Sequence, residues 1–358
     1  MLNICITADH EIFSGENNAN EEEIIILPTY SLLKVLEQFN IPLCLMTDVC
    51  SLIRYRELKI DSSYVQTMEE QLCYAITRGH DVQLHIHPHW LTSDYHNGQW
   101  EYNYANFRLH SFGFGESGRS GRQIIAESKK YLVDLLKPVH DSYECIAFRA
   151  GGWCLQPEKE FLQALAAEGI LIDTTVYYGG FLKDDSRFYD FRHVPQKPNW
   201  WIDPRKGLEY ESIKAERHLL EVAIGSYGFL PLIGLKKLIL EPYRIRSKSK
   251  AGRTLGKSID SLIKINYFQR MVNKVRQFLF QPIMFSFDSA CLEVMMTLLK
   301  YYLKRFDCVN QEFYVSIIGH PKALTKESLK EIEKFCEIII EKYSKVVRFI
   351  RFMDIPFK

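Results

Sequence analysis

Short runs rich in Ile, Val, Leu and Phe alternate along this chain with longer stretches in which apolar residues recur three and four apart. The short runs are LNICITAD (2–9), IPLCLMTDV (41–49), DVQLHIH (81–87), ECIAFRA (144–150), ILIDTTV (170–176), HLLEVAIG (218–225), EFYVSIIGH (312–320) and VVRFIRFMD (346–354), and each is predicted to be a strand. Between several of them, SYVQTMEEQLCYAITRG and PEKEFLQALAAEG carry a helical stripe, the second opening on Pro and closing on Gly as helices favour. Strand and helix in alternation predict a parallel β/α architecture, either an open doubly wound sheet or a barrel.

The polar positions choose between the two. Asp9, His85, His89, Arg149, Asp173 and His320 fall at or just beyond the C-terminal ends of the predicted strands. An open sheet brings only the strands beside its switch point to one crevice, whereas a barrel gathers every strand end into one site. A single barrel domain over residues 1–358 is therefore expected, a length that such barrels reach.

Two stretches depart from the rhythm. Residues 90–118, rich in aromatics, Gly and Asn, are expected to form a long loop of the kind that serves as a substrate-binding lid. Residues 236–276 carry twelve Lys or Arg against Glu241 and Asp260, and mark a basic helical insertion over 228–285. Its segment FLPLIGLKKLILEPYRIRSKSKAGR joins an apolar patch to a cationic tail. That pairing suits a solvated helix, peripheral contact with an anionic membrane face, or the phosphates of a linked substrate.

Composition adds exclusions. The chain is 47% hydrophobic and 25% charged with a net charge of +1, so an ordinary core is available and nucleic acid is not an expected partner. The first predicted strand starts at Leu2 without the pattern of a secretory leader, and no run of about twenty uncharged apolar residues occurs. Nine scattered cysteines, never spaced C-x-x-C, favour reduced thiols over a disulfide framework or a Cys-type zinc site. A cytoplasmic location, either free or peripheral on the inner membrane face, is the resulting expectation. Cys154, beside the Gly151–Gly152 pair, is the thiol least readily read as a core residue.

The chemistry concentrates in HIHPH, residues 85–89. Neutral imidazole is a common metal ligand, and Pro88 removes a donor and ends the strand. A turn after that break could bring His85 and His89 to one ion, which makes them the favoured pair and leaves His87 unassigned. In TADHE, Asp9 with Glu11, or with His10, could supply the carboxylate base and the further ligand that a metal hydrolase needs. Asp173 could orient His320 or cap the next turn. His80 precedes its strand and reads as structural, and Trp200 and Trp201 read as a sugar-stacking pair or as core anchors. HExxH and GxSxG are absent, which disfavours zincin peptidases and serine esterases.

TADHE, GHDVQLHIHPH, FRAGGW and IIGHP, in this order, resemble the successive motifs of the NodB-like polysaccharide deacetylases, carbohydrate esterase family 4, and in particular a branch linked to lipopolysaccharide or capsule biosynthesis. The resemblance spans Leu2 to about Asp354 and is weakest near 185–285. It implies a deformed (β/α) barrel of about seven strands that uses a divalent metal, most often Zn²⁺, to remove acetyl groups from N-acetylated sugars. The substrate so implied is an acetylated amino-sugar glycan or a lipid- or nucleotide-linked precursor. Carried over motif by motif, Asp9 would be the general base, Glu11 (or His10) with His85 and His89 the metal ligands, Arg149 the partner of Asp9, and His320 the general acid. FRAGGW departs from the family's usual Pro-Tyr after the arginine: its glycine pair would let backbone approach the reaction centre, and Trp153 would form an apolar wall. A catalytically silent glycan-binding or scaffold barrel, or a hydrolase of another amide or ester, are the alternatives.

Overall fold

The computed structural model describes residues 1–12, 21–60, 63–115, 118–213, 218–227, 282–288 and 291–357. Their main sheet has nine strands: β1 (Leu2–His10), β2 (Leu43–Asp48), β3 (Asp81–Ile86), β4 (Ala147–Ala150), β5 (Ile172–Asp173), β6 (Asn199–Ile202), β7 (Leu219–Val222), β8 (Phe313–Gly319) and β9 (Val347–Phe349). The spatial order is β6-β7-β5-β4-β3-β2-β1-β8, with β9 also against β1, and every pairing is parallel except β6 with β7. Beyond β7 the chain reaches β8: Ser316 N donates to Ala223 O at 2.9 Å, and Gly225 N donates to Ser316 O at 2.8 Å. The sheet is thus nearly closed into a barrel, as the strand-end residues require, and forms a single domain.

Around it pack α1 (Leu27–Glu37), α2 (Val49–Glu57), α3 (Tyr64–Thr77), α4 (Gly121–Leu136), α5 (Glu158–Ala167), α6 (Leu292–Arg305) and α7 (Lys326–Tyr343). Side chains alternate across each strand. In β1 the even residues Leu2, Ile4, Ile6 and Ala8 join the large core beneath the helices, while Cys5 faces the barrel interior with Cys44, Met46, Ala147, Ile172, Leu220 and Val222. Phe352 and Ile355 belong to the same inner cluster, and Asp81 Oδ2 accepts from Phe352 N at 2.9 Å.

Three expectations change. Asn199–Ile202 is a strand although no alternating run marks it; Trp200 is buried with its Nε1 donating to Leu208 O at 3.1 Å, and Trp201 meets the edge of Phe357. The tryptophan pair therefore anchors the core. The run 346–354 is strand only over Val347–Phe349 and then turns at Phe352–Asp354 to pack its aromatic ring inward. Within 90–118 the described residues form a hairpin, Asp94–His96 with Gln99–Glu101, and short 3-10 turns beside a stack of Trp100, Tyr102 and Tyr104 that Trp90 meets edge to face. The basic insertion of 228–285 lies outside the described residues except for 282–285.

All nine cysteines are free thiols, and Cys154 is buried with its pKa pushed up to about 11, chiefly by burial. Among the described residues no helix is long and apolar enough to cross a membrane.

Candidate active site

Alternation along β1 sends Asp9 and Glu11 into the barrel mouth and His10 to the opposite face. There His10 Nε2 meets Gln71 Oε1 at 2.9 Å and Nδ1 meets Thr47 Oγ1 at 3.4 Å, and burial brings its pKa down to about 4 against the raising effect of Gln71. His10 is consequently outside the site, which removes it as the alternative to Glu11.

Asp9 is held from two sides. The fully buried Arg149, one strand beyond β3, bonds its Oδ1, and His320 Nε2 stands 3.6 Å from its Oδ2. Arg149 is itself fixed: Nε donates to Thr174 O at 2.9 Å, and Nη2 donates to Thr7 Oγ1 at 2.9 Å and Thr174 Oγ1 at 3.3 Å. Burial opposes ionisation of Asp9, but the Arg149 guanidinium, with His85 and His320, outweighs it and lowers the pKa.

His320 follows β8. Its Nδ1 lies 2.7 Å from Asp288 Oδ2, and its backbone N–H donates to the same oxygen at 2.8 Å. Burial would lower the imidazole pKa; the Asp288 hydrogen bond and charge, with that of Asp9, raise it. The partner of His320 is therefore Asp288, not Asp173. Asp173 pairs in register with Phe148 and Glu221, so it faces the helix layer, opposite Arg149, and accepts from Thr175 Oγ1 at 2.7 Å.

Glu11, His85 and His87 form the one group of three among the described residues whose donor atoms all lie within 4.8 Å of one another, and all three are buried. His85 and His87 share a face two residues apart. His85 Nδ1 lies 2.8 Å from Arg149 O and its Nε2 3.3 Å from Glu11 Oε2, while His87 Nε2 contacts the same carboxylate oxygen. Lys322 Nζ donates to the other oxygen, Glu11 Oε1, at 2.5 Å. Burial would raise the Glu11 pKa, yet His87 and Lys322 hold it well below the usual range.

His89 takes no place in this group. Pro88–Thr92 is a 3-10 turn, which carries the His89 ring out of line onto Phe107, with centroids 5.4 Å apart and planes 12° apart, and onto Trp90. Burial, and then His87, depress its pKa well below normal. The expected pairing of His85 with His89 is not what the side chains show: His87 stands with His85, and His89 is packed among aromatics. His80 lies at the far end of β3, where its Nδ1 accepts from Leu43 N at 3.0 Å.

The glycine pair of FRAGGW serves this packing. A Cβ on Gly151 would stand 2.8 Å from His87 Nδ1, and one on Gly152, at φ +57°, would stand 2.8 Å from Phe107. Trp153 follows at φ 58° and meets the edges of Tyr177 and Tyr189.

Two further carboxylates stand at the site, Asp288 and Asp48. Asp288 ends the alternating FSFD after the basic segment, and Asp48 ends MTD at β2, so both had the strand-end signal that marked the others. Asp48 caps α2 through Cys50 N at 3.2 Å and accepts from His87 N at 3.1 Å, both on Oδ1. Burial takes its pKa up to about 6, with His87 and His85 pulling the other way.

No protein-family model and no curated protein sequence matches this chain. Among solved structures, one provisionally designated a glycoside hydrolase/deacetylase from Parabacteroides distasonis superposes with TM-score 0.54 at 10% identity, over 99% of this chain and 69% of that one. One provisionally designated a polysaccharide deacetylase from Mycobacterium smegmatis gives 0.43 at 11%, over 97% and 86%. A peptidoglycan N-acetylglucosamine deacetylase gives 0.36 at 10%, over 98% and 86%. The first of these likenesses establishes a deacetylase-like (β/α) barrel fold.

Proposed function

We propose that this protein is a divalent-metal-dependent hydrolase that removes the acetyl group from an N-acetylated sugar of a bacterial surface polysaccharide or its precursor. One observation carries the reading: a carboxylate held ionised by Arg149, Asp9, faces the barrel mouth together with the Glu11, His85 and His87 group. Two imidazoles and one carboxylate are the donor set of a catalytic zinc site that keeps a position open. His87 Nδ1 is buried beside Gly151 without a hydrogen-bond partner among the described residues, which leaves Nε2, against Glu11 Oε2, as the nitrogen the ring would offer to a metal. The proposed ligands are therefore Glu11, His85 and His87. Bound there, a divalent ion, best matched by Zn²⁺, would supply Lewis-acid polarisation of the acetamide carbonyl.

The chain's own residues account for the proton transfers. Asp9 takes a proton from the attacking water as its oxygen bonds to the carbonyl carbon, and Arg149 keeps Asp9 oriented and ionised for this. His320, held protonated by Asp288, then gives its proton to the sugar nitrogen as the C–N bond breaks, leaving acetate and a free amine. Trp153 and Phe107 would wall the reacting group from water. A silent glycan-binding barrel has no use for a base held by a buried arginine or an acid held by a carboxylate. The basic segment is the proposed contact with a lipid- or nucleotide-linked phosphate or the inner membrane face, and its support is the sequence alone.

The test is acetate release by the zinc-loaded full chain from polymeric, lipid-linked and nucleotide-linked N-acetylated amino sugars. Acetate and free amine are expected from at least one class. Asp9→Asn should lower turnover by about 10²–10⁴-fold with metal content unchanged. Zinc bound at one equivalent with no acetate from any class would overturn the hydrolase reading.

A further inference from the structure

Among the described residues, three carboxylates that face the barrel mouth have a basic side chain at contact distance: Asp9 has Arg149, Glu11 has Lys322 and Asp288 has His320. Asp48 is the exception. It is 1% exposed, and both of its hydrogen bonds, from Cys50 N and His87 N, fall on Oδ1. Its Oδ2 is buried with no partner among the described residues. Such an orphan carboxylate oxygen is costly unless something positive reaches it. β2 pairs with β3 so that Asp48 lies beside His85, and its Oδ1 grips the backbone of His87. A positive charge held by the two histidines would therefore stand close enough to compensate Asp48.

We propose that Asp48 is the outer carboxylate of the metal centre, balancing a bound dication's charge from outside the ligand set while its Oδ1 fixes the His87 backbone. The inference rests on the metal-site reading above. Its place outside the ligands follows from the donor group, which among the described residues closes within 4.8 Å on Glu11, His85 and His87. The charge count agrees: with Glu11 matched by Lys322 and two neutral imidazoles as ligands, a dication brings positive charge that Asp48 is placed to share. A purely structural role would make Asp48 an N-cap and nothing more, and that role needs an acceptor oxygen but no charge.

Asp48→Asn and Asp48→Ser separate the two roles, because both retain an acceptor for the helix N-terminus and lack the charge. The full chain is stripped of metal and titrated with Zn²⁺ alone in competition with a chromophoric chelator, alongside His87→Ala. The visible spectrum of each Co²⁺ adduct is recorded. Thermal melting without metal verifies that the variants fold. Asp48→Asn and Asp48→Ser are expected to bind Zn²⁺ about 10–100-fold more weakly than the natural chain, with a shifted Co²⁺ spectrum. Either folded variant binding Zn²⁺ as tightly as the natural chain, while His87→Ala binds weakly, overturns the role of Asp48 and leaves the ligand set standing. A natural chain that takes up no Zn²⁺ overturns both.

Discussion

Gly151 stands against His87 so closely that a Cβ at position 151 would come within 2.8 Å of His87 Nδ1 and 2.5 Å of the Ile86 carbonyl oxygen. A side-chain rotation cannot relieve the second contact, because it is with backbone. Gly151→Ala should therefore push β4 away from the end of β3, displace the His87 ring and weaken Zn²⁺ binding by about tenfold or more. Gly152→Ala meets the Phe107 ring at 2.8 Å and carries the strain of φ +57°; it should cost stability, on the order of 1 kcal/mol, with a smaller effect on metal. Chelator competition and thermal melting on the two variants check the difference.

Arg149 joins β4 to β1 and to the chain after β5 through one fully buried guanidinium. Lys in its place keeps a charge but not a planar fork that can serve Asp9, Thr7 and Thr174 together. Arg149→Lys should lose about 3 kcal/mol or more of stability, since it leaves buried acceptors unpaired and loosens a buried ion pair. Turnover should fall with it while zinc content holds, because Arg149 contributes only its carbonyl to His85. Denaturant unfolding and metal analysis of the variant measure the two effects separately.

The contact between Asp288 and His320 sets a pH dependence. Burial alone would bring the His320 pKa below its ordinary 6.5; the hydrogen bond and charge of Asp288, followed by the charge of Asp9, carry it above. A general acid works while protonated, so turnover should fall as pH rises through this raised value. Stability follows the same sign: the contribution of His320 is complete below 6.5 and disappears as pH rises through the folded-state pKa. Asp288→Asn removes the first raising cause, and the alkaline limb of the kcat/KM profile should move to lower pH. An unmoved limb would assign it to another group.

The barrel, and the gathering of most candidate residues at its mouth, are legible in the sequence because both follow from period-two alternation. Asp9, Glu11, His85, Arg149 and His320 sit at strand ends; alternation along β1 puts His10 on the opposite face, and the register of β5 with β4 does the same for Asp173. His10 is a candidate by adjacency to Asp9 and Asp173 by its place at a strand end, and neither criterion carries the parity that turns both away from the barrel mouth. His87 and His89 were not separable in this way. Pro88 marks the break but not the direction of the turn after it, and that direction is set by Phe107 and by the room Gly151 leaves, both distant in sequence. Asp288 is less legible for a different reason: FSFD is a four-residue alternation, too short to mark a strand by its pattern.

Asp173 and Glu221, although remote from the chemistry, make a separate stability prediction. They are register partners on β5 and β7, both fully buried, and burial raises both pKa values, with the Asp173 charge raising Glu221 further. Glu221 Oε1 accepts from Val176 N at 3.2 Å, and its Oε2 has no hydrogen bond within 3.5 Å among the described residues. In the unfolded chain both groups ionise near pH 4, so from there upward the folded state binds more protons than the unfolded state and stability falls with rising pH. Glu221→Gln keeps the acceptor for Val176 and removes the charge. It should be close to neutral at pH 4 and stabilising by about 1–3 kcal/mol at pH 8, where the natural pair must either retain a proton or bury a second charge. Melting curves of the two proteins across that range should diverge as pH rises; parallel curves would show that Glu221 does not hold its proton.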